Sequence, residues 1–199
     1  MTEFLLRHIK GRSDLAGTHL VVGIDWYGPY CLDAAKSAAE GDYDGGLYLC
    51  IGKTRGQHHR RLQYIGKSNE KLHARLSGNH HKLKNVTRER KIWLGEIATG
   101  NVPGRKKHAT PQSLQMAEWA TARFLKLPLN DNLSESLPSR PVTVLNRWWK
   151  TDYKTPRFKR PHPEWPDMID FLGADYRARN VWFGSPGKLR IFSSPHFSR

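Results

Sequence analysis

Two runs constrain the fold of this 199-residue chain more than anything else in it: GLYLCIGK at 46–53 and RLQYIGKS at 61–68. Both are aliphatic and aromatic in character, and a short basic connection separates them, which predicts an antiparallel hairpin. The second run passes through Tyr64-Ile65-Gly66-Lys67 and hands over directly to a helical pattern. A strand that only had to pack needs no tyrosine, glycine and lysine at that junction. The helix is predicted from about Glu70 to Lys84, opened by Ser68 or Asn69 as N-cap. A third strand, KIWLGEIA at 91–98, follows. After the Gly/Pro/Lys loop TGNVPGRKKHATP comes a second helix, from about Gln112 to Leu127, ended by Pro128. The expectation is an α+β fold whose core, residues 45–132, is a small three-stranded antiparallel sheet flanked by helices.

On either side of this core the sequence changes character. Residues 1–44 read as an N-terminal lead-in that packs on the core, with a strand in HLVVGIDWY and a short helix in CLDAAKSAAEGD. Residues 133–199 read as a basic, mixed C-terminal extension, holding eight of the 12 prolines and four of the seven tryptophans. Within it, RPVTVLNRWW suggests a strand and NVWFGSPGKLRIF a hairpin. Trp148, Trp149, Trp165 and Trp182 have apolar neighbours, which favours core over surface for most of them.

Charge narrows the partners. Thirty-three Lys and Arg against 18 Asp and Glu leave a formal +15, a surplus that points to a polyanion, most often nucleic acid. No run approaches the roughly 18–20 apolar residues of a membrane span. The first residues, MTEFLLRHIKGRSDLAG, do not form a secretory signal. Two cysteines, Cys31 and Cys50, make no disulfide framework, and the expected setting is reducing and cytoplasmic.

Both core helices carry an anomaly. In the first, Leu72, Leu76 and Leu83 share a stripe with Arg75 and Asn79. In the second, Glu118 lies in the middle of the apolar face formed by Leu114, Ala117, Ala122 and Leu125. A charge on a core-facing stripe is costly unless it is paired or given a ligand. Read from the residues alone, an Arg75–Glu118 structural salt bridge and an active site stand as equal explanations.

The GLY at 46–48 and the YIG at 64–66 resemble the paired signature of the GIY-YIG nuclease superfamily. Later landmarks follow in the family's order: Arg75 eleven residues after Tyr64, and Glu118 opening EWATARFLKLPLN, with Asn130 twelve residues on. The resemblance covers about residues 45–132 and implies phosphodiester hydrolysis with one divalent ion, Mg2+ or Mn2+. It implies that Glu118 is the metal ligand, that Arg75 holds the scissile phosphate, and that Tyr48 and Tyr64 bracket the attacking water with one of them as general base. Asn130 would help position the metal-site groups. Lys67, three residues after Tyr64, is placed to make that tyrosine a better base. Where many members carry His or Tyr, four residues past Arg75, this chain has Asn79, with His80 beside it as a substitute.

The tyrosines stand sixteen residues apart, wider than in compact members, and the extra length is the basic tip KTRGQHHRR. Lys53, Arg55, Gln57, Arg60 and Arg61 are its candidate DNA contacts, with Arg55 and Gln57 of the types that read guanine and adenine edges. Five histidines lie between residues 58 and 81. No cysteines lie beside them, so the catalytic hairpin accounts for the region better than a zinc site does. The expected function is a metal-dependent endonuclease acting on double-stranded DNA, of sequence-specific restriction or mobile-element type. A homodimer would allow both strands to be cut. The alternatives are a non-catalytic nucleic-acid binder on a degenerate nuclease core, an RNA nuclease and a DNA-repair nuclease.

Overall fold

The structure, a computed structural model, describes residues 19–42, 45–77, 81–98, 111–184 and 189–192. Eight strands form a single mixed sheet: β1 Leu20–Tyr30, β2 Gly46–Lys53, β3 Arg61–Ser68, β4 Arg88–Ile97, β5 Val142–Trp149, β6 Met168–Phe171, β7 Arg179–Val181 and β8 Leu189–Ile191. Their order across the sheet is β3-β2-β4-β1-β5-β6-β7-β8. The β1–β5 pair is parallel and every other neighbouring pair is antiparallel. Five helices are described: α1 Leu32–Asp42, α2 Leu72–Ser77, α3 His81–Lys84, α4 Pro111–Leu125 and α5 Asp131–Glu135.

This corrects the expectation of a small three-stranded core. The antiparallel set β3-β2-β4 is present, but it is one end of an eight-stranded sheet. The lead-in supplies β1, which lies between β4 and β5 in the middle of that sheet, and the C-terminal region supplies β5 to β8. Local pattern identified β1 as a strand but could not reveal its long-range partners, because the parallel β1–β5 pairing joins residues more than a hundred positions apart. The first predicted helix is also two short ones, α2 and α3, and residues 78–80 lie outside the described residues.

Both faces of the sheet are covered near β2, which is why this strand reads as an unbroken apolar run. Side chains alternate: Leu47, Leu49 and Ile51 enter one core, and Tyr48 and Cys50 enter the other. The first core takes Leu114, Met116, Ala117, Ala120 and Phe124 of α4. The second takes Ala35 and Ala39 of α1, Leu72 and Leu76 of α2, and Leu83 of α3.

In the first core, Trp165 stands edge-on to Trp26, Trp93 and Trp148 at centroid distances of 5.0, 6.0 and 5.8 Å. Trp26 donates its indole N–H to Asn146 Oδ1 at 2.8 Å, and Asn146 Nδ2 donates to the Pro166 carbonyl at 3.0 Å. Trp148, Trp165 and Trp182 are all buried. The C-terminal region therefore completes the core that the hairpin begins.

Helix α4 does not end at Pro128. It stops at Leu125, where Lys126 takes a left-handed conformation (φ 50). The Leu127 N–H then reaches back to the Ala122 carbonyl at 3.1 Å and the Lys126 N–H to Arg123 at 3.3 Å, a Schellman closure. This reversal puts Leu127 in the core and carries Leu129 and Asn130 onto the free edge of β3. No helix among the described residues is long and apolar enough to cross a membrane.

Truncation after Leu137 is expected to abolish folding. It strips β5 from the central strand β1 and removes Val142, Val144, Trp148, Trp165, Ile169 and Phe171 from the core. At about 2 kcal/mol per large buried side chain, these six alone contribute as much as the whole net stability of an ordinary domain. A soluble truncated chain with a cooperative thermal transition by circular dichroism would show that β5–β8 are dispensable.

Candidate active site

The free edge of β3 is where the site is built. Its inward-facing backbone groups pair with β2, and the outward ones would otherwise be left open. Outward groups of Gln63, Ile65 and Lys67 find partners from the α4 region. The Gln63 carbonyl accepts from the Leu129 N–H at 3.0 Å. The Asn130 carboxamide pairs with Ile65 twice, accepting from its N–H at 2.8 Å and donating to its carbonyl at 2.8 Å. The Lys67 N–H donates to the Glu118 carboxylate. Asn130 and Glu118 thus act like one more strand, fixing α4 to β3.

On this edge four elements meet. Tyr48 of β2 lies fully buried, its ring centroid 5.9 Å from that of Tyr64 on β3. Gly66 makes room for it: a Cβ there would sit 2.4 Å from the Tyr48 hydroxyl. The two phenols share a hydrogen bond, and both accept from the Arg75 guanidinium of α2. Arg75 is exposed, while the phenols beneath it are not. Glu118 projects from α4 into the same neighbourhood, within reach of the charges of Arg75 and Lys67. Tyr48, Tyr64, Lys67, Arg75 and Glu118 are therefore brought together.

Their electrostatics separate the two tyrosines. Burial raises both phenols above the usual tyrosine range. Their shared hydrogen bond raises Tyr48 further but lowers Tyr64, and Arg75 lowers both. Tyr48 is the more deeply buried and the more strongly raised, so Tyr64 is the better of the two as a proton acceptor. Burial also pushes the Glu118 carboxyl up to about 7, although Lys67, Arg75 and the Lys67 N–H all pull it down. When ionised, this carboxylate is short of positive charge and hydrogen bonds. Lys67 directs its charge at Glu118, and its Nζ donates to Asn69 Oδ1 at 3.2 Å.

Among the described residues, no three His, Cys, Asp or Glu side chains cluster as a metal cage. A single under-compensated carboxylate fits an ion that keeps most of its own water, as Mg2+ does. Asn79 and His80 lie outside the described residues, so neither can be placed in the site.

The hairpin connection is more ordered and less positive than its sequence suggests. Glu89, at the start of β4 and left-handed (φ 52), forms ion pairs with Lys53 and, at 3.5 Å, with Arg60. The Gln57 amide oxygen accepts from the Thr54 N–H at 3.0 Å and from Gln63 Nε2 at 2.6 Å, so it braces the turn from within. Gln63 also donates to the Gly52 carbonyl at 2.8 Å. Arg55 and Arg61 are exposed. Sequence reading missed Glu89 and Gln63, because neither lies inside the tip that it organises.

Comparison with protein-family models, curated proteins and solved structures finds no match to this chain.

Two measurements test the edge. Asn130→Ala leaves the Ile65 N–H and carbonyl buried without partners and should cost about 2–4 kcal/mol in denaturant unfolding. A loss under about 0.5 kcal/mol would mean that water replaces the clamp. The second is Glu118→Gln in EDTA. The folded state of the wild type binds the Glu118 proton more tightly than the unfolded chain, whose ordinary value is 4.5. Wild-type stability therefore falls as pH rises from about 4.5 through about 7. The glutamine variant, which does not titrate, should be more stable above pH 7 by up to about 3 kcal/mol and equal to the wild type at low pH. Parallel melting curves at every pH would remove the assigned shift.

Proposed function

We propose that this chain is a metal-dependent endonuclease of the GIY-YIG kind, hydrolysing phosphodiester bonds in double-stranded DNA. The observation that supports it is the convergence of Tyr48, Tyr64, Arg75 and Glu118 from β2, β3, α2 and α4 on one point at the sheet edge. A structural salt bridge between Arg75 and Glu118 would need no pair of hydrogen-bonded tyrosines beside it.

In this reading each side chain has a distinct task. The exposed Arg75 fork, now donating to the phenols, turns its N–H groups to two phosphate oxygens in a pair of parallel hydrogen bonds. Tyr64 acts as the phenolate, a form that Arg75 favours against burial: having lost its own proton to solvent, it takes the proton of the attacking water, and Tyr48 hydrogen-bonds it in place. Glu118 would hold the divalent ion, which supplies Lewis-acid polarisation of the phosphate and stabilises the leaving oxygen. Lys67 balances the Glu118 carboxylate. Asn130 reaches none of these atoms directly. Its role is to position Tyr64 and Lys67, which flank Ile65 along β3.

The test is supercoiled plasmid incubated with the purified chain and Mg2+, with EDTA as control. Nicked or linear product that EDTA suppresses is expected. Folded Glu118→Ala should give none while still binding DNA. Arg75→Lys should lose about a hundredfold in rate, because an ammonium keeps the charge but not the fork. A Glu118→Ala protein that cleaves at the wild-type rate would overturn the assignment. Binding without cleavage by the wild type would favour a non-catalytic nucleic-acid binder, and cleavage confined to RNA would change the substrate.

A further inference from the structure

Phe158, in the segment between β5 and β6, is 99% exposed. The segment is not slack. The Asp152 carboxylate accepts from the Thr155 hydroxyl and from the N–H groups of Thr155 at 2.9 Å and Lys154 at 3.0 Å, bonds that hold its carboxyl down at about 2. The Lys150 N–H donates to the Thr155 carbonyl, and the Arg157 N–H to the Trp148 carbonyl, both at 2.8 Å. The Arg157 guanidinium lies 5.4 Å from the centroid of the Trp93 ring. Past Phe158, Arg160 donates to Asp167 at 2.6 Å and to the Phe183 carbonyl at 3.0 Å. With the chain pinned on both sides, the backbone that carries Phe158 is fixed and its ring stands in water.

The same segment touches the hairpin connection: His162 Nε2 lies 3.1 Å from the Arg60 carbonyl. The strand registers put both at one end of the sheet, where β2 and β5 finish and β3 and β4 begin. Exposed Lys154 and Lys159 flank Phe158, and exposed Arg55 and Arg61 lie on the hairpin. The carboxylates at this end are committed: Glu89 to Lys53 and Arg60, Asp152 to its turn, and Glu164 to Arg190 at 2.6 Å.

We propose that Phe158 is a preorganised aromatic wedge that stacks on a base of bound DNA, with Lys154, Lys159, Arg55 and Arg61 on the flanking phosphates. An aromatic face stacks on any base, and apolar wedges enter duplex DNA between base steps. Cations on either side supply the sequence-independent attraction that brings the backbone near. The inference rests on the DNA reading above and adds a contact remote from the phosphoryl chemistry.

The experiment uses the full chain in EDTA with duplex oligonucleotides carrying 2-aminopurine at successive positions. Affinity is read by anisotropy and base unstacking by 2-aminopurine fluorescence. The wild type should brighten or quench one position locally. Phe158→Ala should bind about tenfold more weakly and lose that local signal, whereas Phe158→Trp should restore both. Because the ring makes no buried contact, the melting temperature should not move. A Phe158→Ala protein with affinity within twofold of wild type overturns the wedge, as does weakened binding with an unchanged fluorescence profile. Those results leave the DNA reading intact. A wild type that binds no duplex overturns both.

Discussion

The unpaired edge of β3 is the constraint on which the site depends. A strand at the end of a sheet exposes a row of N–H and carbonyl groups that must find partners or invite other chains. Here the partners are a carboxamide, a backbone N–H and a carboxylate, all delivered by α4 and the chain just after it. Lys126 makes that delivery geometrically possible by turning the chain back along the edge. The distance between Glu118 and Tyr64 is thus set by hydrogen bonds to the intervening backbone, not by any direct attraction between the two.

A second dependence runs through the tryptophans. Trp26 on β1, Trp93 on β4 and Trp148 on β5 all abut Trp165, so one ring from the C-terminal region ties together strands from all three sequence zones. Asn146 fixes one of those neighbours to the same region, accepting from the Trp26 N–H and donating to the Pro166 carbonyl. The hairpin that carries the tyrosines is consequently held from behind by residues outside the proposed site.

How much of this was legible in the sequence depends on the range of the interaction. The β2–β3 hairpin, β1, α1 and the β7–β8 hairpin could be read because periodicity and turn residues are local signals. Arg75 and Glu118 stood out because charge on an apolar stripe breaks a local rule. The parallel β1–β5 pairing carried no such mark, since nothing near Leu20 or Val142 names the other. Neither did Glu89, whose pairing with Lys53 and Arg60 depends on how β4 returns to the hairpin. Gly66 stands out as a glycine that a packing strand does not need, but the Tyr48 ring that fills its space is a contact that only the pairing of Tyr48 with Gly66 makes visible. The resemblance marks Asn130, whose backbone clamp is visible only once β3 proves to be an edge.

The clamp at Asn130 has a consequence for how such a sequence would drift. Selection for folding alone would retain Asn130, because a buried edge left open is costly with or without a substrate. Arg75 has no comparable protection, since it is exposed and the packing of α2 is carried by Leu72 and Leu76. On the proposed function, a descendant without catalytic activity would shed the arginine first and keep the asparagine. In this architecture the surviving arginine is the informative letter, and the surviving asparagine mainly records that the sheet still closes.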